Sequence, residues 1–187
     1  VVVENRTGAS GAIGSEAAAK SDADGYTLLV MPIDLMLNPS LIQNPRFDPL
    51  KDLAPIAVLA ASTQIIAAHG GSGIKSIADL VARAKAEPGK LLYAGTVRGQ
   101  LPHLAGELFK AKAGIDIVFV PYPGSSQALQ DVIGGRIAVM VENLSVLSGL
   151  IKAGTLKALA VTAPERLASF PDLPTVAETV PGFAAMG

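Results

Sequence analysis

The sequence predicts an α/β fold built on a mostly parallel, doubly wound sheet with helices on both faces. From Ser76 onward, segments of helical periodicity alternate with short apolar runs, and polar, glycine-bearing loops follow several of those runs. Such alternation places the loops at the carboxyl ends of parallel strands, where ligands of open α/β sheets sit.

In chain order, Val1 to Val3 read as a strand, followed by Gly8, Gly11 and Gly14 and a helix from Gly11 to Lys20. The spacing is G-x-x-G-x-x-G, whereas a dinucleotide turn needs G-x-G-x-x-G, so small residues that let a helix lie close on a sheet are the simpler reading. After the turn Ser21 to Gly25, Tyr26 to Met31 reads as an apolar strand. Pro32, Pro39, Pro45 and Pro49 then forbid any long helix, although Asn38 to Leu41 suits a short one, and Asp34 and Asn38 either face a cleft or cap a loop. Ala54 to Ala61 and Gln64 to Ala68 read as two more strands.

Ser76 is a good N-cap for the helix Ile77 to Glu87, which Pro88-Gly89 stops. The rest follows as strand 91–94, helix 102–113, strand 117–120, helix 125–133, strand 137–141, helix 144–152 and strand 156–161. Leu101, Leu104, Ala105, Leu108 and Phe109 share one helical face, and Pro102 suits a first turn.

Composition narrows the function classes. Fifteen basic residues against sixteen acidic, with no basic run, make nucleic acid an improbable partner. The absence of cysteine excludes thiol catalysis, thiolate metal sites and disulfides. No apolar run approaches the ~20 residues that span a bilayer. The chain starts at Val1 without a signal-peptide pattern and reads as a fragment or processed form, so missing targeting signals carry no information.

Three loops are the candidate site. Thr96, Val97, Arg98, Gly99 and Gln100 lie between a strand and a helix opening, where unpaired N–H groups and a helix dipole favour an anion; His103 is in the first turn of that helix. In the second loop Tyr122 offers a ring wall with a hydroxyl, Gly124 permits close approach, and Ser125 either caps a helix or bonds an oxygen. The third holds Glu142 and Asn143; a carboxylate there repels an anion and binds an amine, or else caps a helix or pairs with Arg98 or Arg166. His69 and His103 have no partners at metal-ligand spacing, and no nucleophile elbow, P-loop or paired-carboxylate motif occurs. No cofactor or metal is expected, and a binding protein is favoured over an enzyme.

The segments VVVENRTGASGAIG, DGYTLLV, LNPSL, FDPLKDLAPI, YAGTVRGQLPHLAGELF, VPYPGSSQALQDVIGGRI and LKALAVTAPERLASFPDLPTVAETVPGF together resemble the Bug-type receptors, the extracytoplasmic solute-binding proteins of tripartite tricarboxylate transporters. The resemblance implies a two-lobed, type II Venus-flytrap fold that closes by a hinge on a small carboxylate or amino-acid-like solute. It further implies periplasmic export and delivery to membrane permease subunits. Residues 1–63 then form part of a first, incomplete lobe and 64–187 the second. The family loop usually carries Ser where this chain has Gly95, Gly where it has Val97, and often Ser where it has Gln100, so two hydroxyl donors are replaced. Arg98 and Gln100 are candidates to substitute for them. Rival readings are a nucleotide-dependent oxidoreductase domain using the Gly8 to Gly14 turn, and the effector domain of a transcription regulator.

Overall fold

A computed structural model of the chain describes residues 1–37, 45 and 47–187. The expected short helix at Asn38 to Leu41, and Asn38 itself, lie outside the described residues. The chain divides into two compact units, residues 1–60 with Gly187, and residues 61–186.

The second unit holds the sheet. Its strands are β1 (Gln64–His69), β2 (Leu92–Gly95), β3 (Val118–Pro121), β4 (Val139–Asn143) and β5 (Leu156–Val161), in the spatial order β3-β2-β4-β1-β5. β2 runs parallel to both β3 and β4, whereas β1 runs antiparallel to β4 and to β5. Four of the five strands therefore share one direction and β1 opposes them, which makes the sheet mixed. β1 is preceded by no helix of the alternating series, so nothing forces a parallel crossover upon it.

Two helices cover each face. α2 (Ile77–Ala86) and α3 (Leu101–Ala113) pack Leu80, Ala84, Ala105 and Phe109 against Ile66, Tyr93 and Val141. On the other face α4 (Ser125–Ile133) and α5 (Leu144–Lys152) set Ala128, Val132 and Leu147 against Ile65, Ala67, Ala94 and Met140. The strict alternation of Ile65 and Ile66 between the two clusters is the period of 2 expected of a strand buried on both sides. Each helix has a local cause. Ser76 Oγ accepts the Asp79 N–H at 3.1 Å to cap α2, and Pro102 sits in the first turn of α3 with Gly114 in the left-handed region closing it.

The first unit differs from expectation. Its helix α1 covers Ala12–Ala19, but Val1 to Val3, Tyr26 to Met31 and Ala54 to Ala61 are not strands. A strand exists only through a ladder, and these apolar runs find no ladder partner among the described residues. Tyr26 and Val58 are 91% and 88% exposed. The glycine turn packs closely, since a Cβ on Gly14 would stand 3.0 Å from the Arg6 carbonyl oxygen. Among the described residues of this unit there is no sheet for the helix to lie on, so the expected helix-on-sheet packing is not what the small residues serve.

Candidate functional site

Because β2, β3, β4 and β5 share a direction, their carboxyl ends lie along one rim of the sheet, together with the start of β1. The chain leaves β2 for α3 on one face and β4 for α5 on the other. The gap between the ends of these adjacent strands is thus a topological switch point, the place where open α/β sheets bind ligands. All three predicted loops stand on this rim.

The first loop is held by its own helix. Gly99, in the left-handed region, donates its N–H to His103 Nδ1 at 3.1 Å, and Gln100 N–H reaches the Val97 carbonyl at 3.2 Å. His103 packs against Phe119 at a tilt of 50° with ring centroids 4.4 Å apart, and the Arg98 guanidinium lies over the same Phe119 ring at 5.3 Å. Burial lowers the His103 pKa, and the Arg98 and Lys110 charges lower it further against the opposing pull of Glu107. A neutral ring with Nδ1 as acceptor therefore keeps its proton on Nε2. Among the described residues the N–H groups of Thr96, Val97 and Arg98 have no protein acceptor, which leaves them open to a ligand.

The second loop ends in Gly124, whose extended backbone begins α4. Ser125 Oγ donates to Glu142 Oε2 at 2.7 Å, tying the start of α4 to the end of β4. Among the described residues the N–H groups of Ser125, Ser126 and Gln127 take no acceptor, as first-turn amides do unless capped. The Tyr122 hydroxyl donates to Asp131 at 2.5 Å, and burial together with that bond pushes the phenol up to about 12.

The third loop is closed upon itself. Asn143 N–H donates to Glu142 Oε1 at 2.7 Å, Leu144 N–H to the Thr63 carbonyl at 3.0 Å, and Ser145 N–H to Asn143 Oδ1 at 3.0 Å. Asn143 is thus the N-cap of α5. Glu142, only 4% exposed, holds Ser125 and Asn143 with its two oxygens; the pairing with Arg166 does not form, since that guanidinium engages Glu178.

One rim residue escaped the sequence reading. Gln64 opens β1 on the α3 face, is 2% exposed, and leaves Oε1 without a hydrogen-bond partner, while its N–H and carbonyl both meet the Thr162 hydroxyl at 3.1 Å. A polar residue starting an apolar strand was the available signal. Two open clefts lie elsewhere. One of about 870 Å³ borders Gly70, Leu156, Phe170 and Pro174 near the opposite rim, and one of about 500 Å³ borders Glu4, Arg6, Gly14 and Met31 in the first unit. Neither contains a residue of the three loops. No group of three or more metal-ligating side chains occurs among the described residues.

The sheet, covered by helices on both faces, presents open backbone amides along one rim. Residues 1–186 match the tripartite tricarboxylate transporter family receptor, TctC, and the chain belongs to that family. It is 38% identical over 188 residues to Protein BugT of Bordetella pertussis, covering 99% of this chain and 58% of that protein. Among solved structures, Rpa4515 of R. palustris with adipate superposes with a TM-score of 0.84 at 35% identity, covering 99% of this chain and 62% of that one. MatC from Rhodopseudomonas palustris with bound malate gives a TM-score of 0.79 at 25% identity, covering 96% and 62%. The chain spans a little under two thirds of the length of these proteins. The likeness supports the expected periplasmic-binding-protein architecture with a partial first lobe.

Proposed function

We propose that the full-length protein is a periplasmic receptor that captures a small carboxylate-bearing solute and delivers it to the membrane permease of a tripartite tricarboxylate-type transporter. The observation that carries this reading is the rim itself: two sets of open backbone amides, at 96–98 and 125–127, stand at one switch point in a chain that belongs to the receptor family. Carboxylate oxygens accept from these amides, directly or through ordered waters, with the positive ends of α3 and α4 adding to the field. The adipate and malate held by the two solved relatives are carboxylates of that kind.

The rim binds without reacting. Ser125 Oγ donates to a carboxylate that has no histidine behind it, Ser145 Oγ donates to Asn143 Oδ1, and His103 uses Nδ1 to accept from a backbone amide. None of these arrangements activates a nucleophile. A Kd of ~1 μM corresponds to about 8 kcal/mol. Two helix ends at roughly 1–2 kcal/mol each fall short of that, so other surfaces must contribute.

Calorimetric titration of the full-length protein with C4 to C6 di- and tricarboxylates tests this, with NAD as the control for the rival oxidoreductase reading. Micromolar binding of an acid and none of NAD is expected, with the present chain alone binding weakly or not at all. Binding of NAD and of no carboxylate overturns the proposal.

A further inference from the structure

We propose that Arg98 reads a second carboxylate, so that the site takes small dianions in preference to monoanions; this rests on the carboxylate reading of the rim. Four of the five described arginines are taken by the protein: Arg6 by Glu4, Arg83 by the Ser72 carbonyl, Arg136 by Asp131 and Arg166 by Glu178. Arg98 makes no hydrogen bond or ion pair among the described residues.

It is nonetheless held in place. Its guanidinium lies over the Phe119 ring, 5.3 Å from the centroid, and that ring is itself fixed by Tyr93 at 5.1 Å and His103 at 4.4 Å. A cation over a ring face is attracted by the ring's quadrupole without using up its hydrogen-bond donors. With no protein acceptor among the described residues, those donors remain available, beside the open amides of Thr96, Val97 and Arg98 itself.

The nearby charges do not cancel it. Glu107 is engaged by the Tyr93 hydroxyl at 2.8 Å and by Lys110 at 3.0 Å. Glu142 sits on the opposite face of the sheet with each oxygen already accepting a hydrogen bond. His103 is driven toward its neutral form by burial and by Arg98. Arg98 is the only arginine or lysine in residues 96–103, 121–127 and 142–145, so it carries the fixed positive charge of the three loops. A planar fork of donors matches a carboxylate bidentately and gains little from a carboxamide, which presents one acceptor and no charge. Two carboxylates are then distinguished by position, one on the amides and one on the guanidinium.

The test is calorimetry on the full-length protein with succinate, glutarate and adipate, each against its own monoamide, in wild type and in Arg98→Gln and Arg98→Lys. The wild type should prefer a diacid over its monoamide by about 10- to 100-fold, the range of a charge-assisted pair. Arg98→Gln should bring diacid affinity down toward the monoamide level, with a loss for the diacid about tenfold larger than the loss for the monoamide, at an unchanged melting temperature. Arg98→Lys should keep only part of the preference. Equal wild-type affinities for diacid and monoamide, or an equal loss of both in Arg98→Gln, overturns the inference while the receptor reading stands. Tighter binding of 2-aminoadipate than adipate that vanishes in Glu142→Gln overturns it too, in favour of an amine reader. If no acid or amide binds the wild type, the receptor reading falls first and this one with it.

Discussion

His103 joins the anion loop to the core through one lone pair. Its Nδ1 can accept the Gly99 N–H only while unprotonated, and burial lowers the ring's pKa in the folded chain, with Arg98 and Lys110 adding to that and Glu107 opposing it. A base whose folded pKa lies below its unfolded value leaves the unfolded chain holding more protons. Stability is then complete above the ordinary histidine pKa of about 6.5, declines as pH falls through that value, and levels off below the depressed one. Thermal melts of wild type and His103→Asn between pH 7 and 5 should show the wild type losing stability and the variant, whose Oδ1 accepts without titrating, staying flat. Equal slopes would mean that another group titrates. A second residue, Gly106, faces a different constraint inside α3. Alanine normally favours a helix interior by up to about 1 kcal/mol. Here a Cβ would stand 2.6 Å from Tyr93 Cζ and 2.7 Å from its hydroxyl oxygen. Tyr93 is fully buried and bonded to Glu107, so it has nowhere to swing. Gly106→Ala should therefore cost about 1–3 kcal/mol in urea unfolding, the range for overpacking a dense core; a gain would show that the ring moves. At this scale the sequence displayed which residue types stand on the rim. It could not display what they bond, because Tyr122 with Asp131 and Glu142 with Ser125 are choices of rotamer among neighbours brought together only by folding.

At the scale of elements, the helices were legible because each carries its face and its punctuation in consecutive residues. Ile77, Leu80 and Ala84 share a stripe between Ser76 and Pro88, and Ala105 and Phe109 share another between Pro102 and Gly114. The direction of β1 was not legible, since hydrophobic alternation is the same for a strand run either way. That direction has a structural cost at the rim, where β1 starts beside the end of β5. The buried Thr162 hydroxyl both accepts the Gln64 N–H and donates to the Gln64 carbonyl, each at 3.1 Å. Thr162→Val keeps the shape and removes both bonds. Leaving a buried amide unsatisfied should cost about 1–3 kcal/mol in chemical denaturation. Hydrogen exchange should place the loss at Gln64 and its neighbours in β1, and a variant that melts with wild type and exchanges no faster would show that water replaces the hydroxyl.

The molecule as a whole combines two units of unlike order. Residues 61–186 contain the full sheet and two apolar clusters, one on each face. Among the described residues, 1–60 show α1 and short turns, and leave Val2, Tyr26, Leu28, Ile56 and Leu59 each 70% or more exposed. The apolar runs of both units look alike in sequence, which is why Val1 to Val3, Tyr26 to Met31 and Ala54 to Ala61 read as strands. What separates them is a partner: a strand's backbone groups are satisfied by neighbours that local sequence cannot supply, and these runs have no ladder among the described residues. Exchange protection follows the ladder, because an amide bonded within a buried sheet is released only by large-scale opening. In this chain, amides of Ile65 to Ala68, Tyr93 to Gly95, Val139 to Val141 and Ala158 to Val161 should exchange together and most slowly. Those of Val1 to Val3, Tyr26 to Met31 and Ala57 to Ala60 should exchange within the dead time, and limited proteolysis should cut there before it cuts the sheet. Slow exchange at Tyr26 to Met31 matching that of β4 would show that these segments find a ladder in solution, and that both units unfold as one.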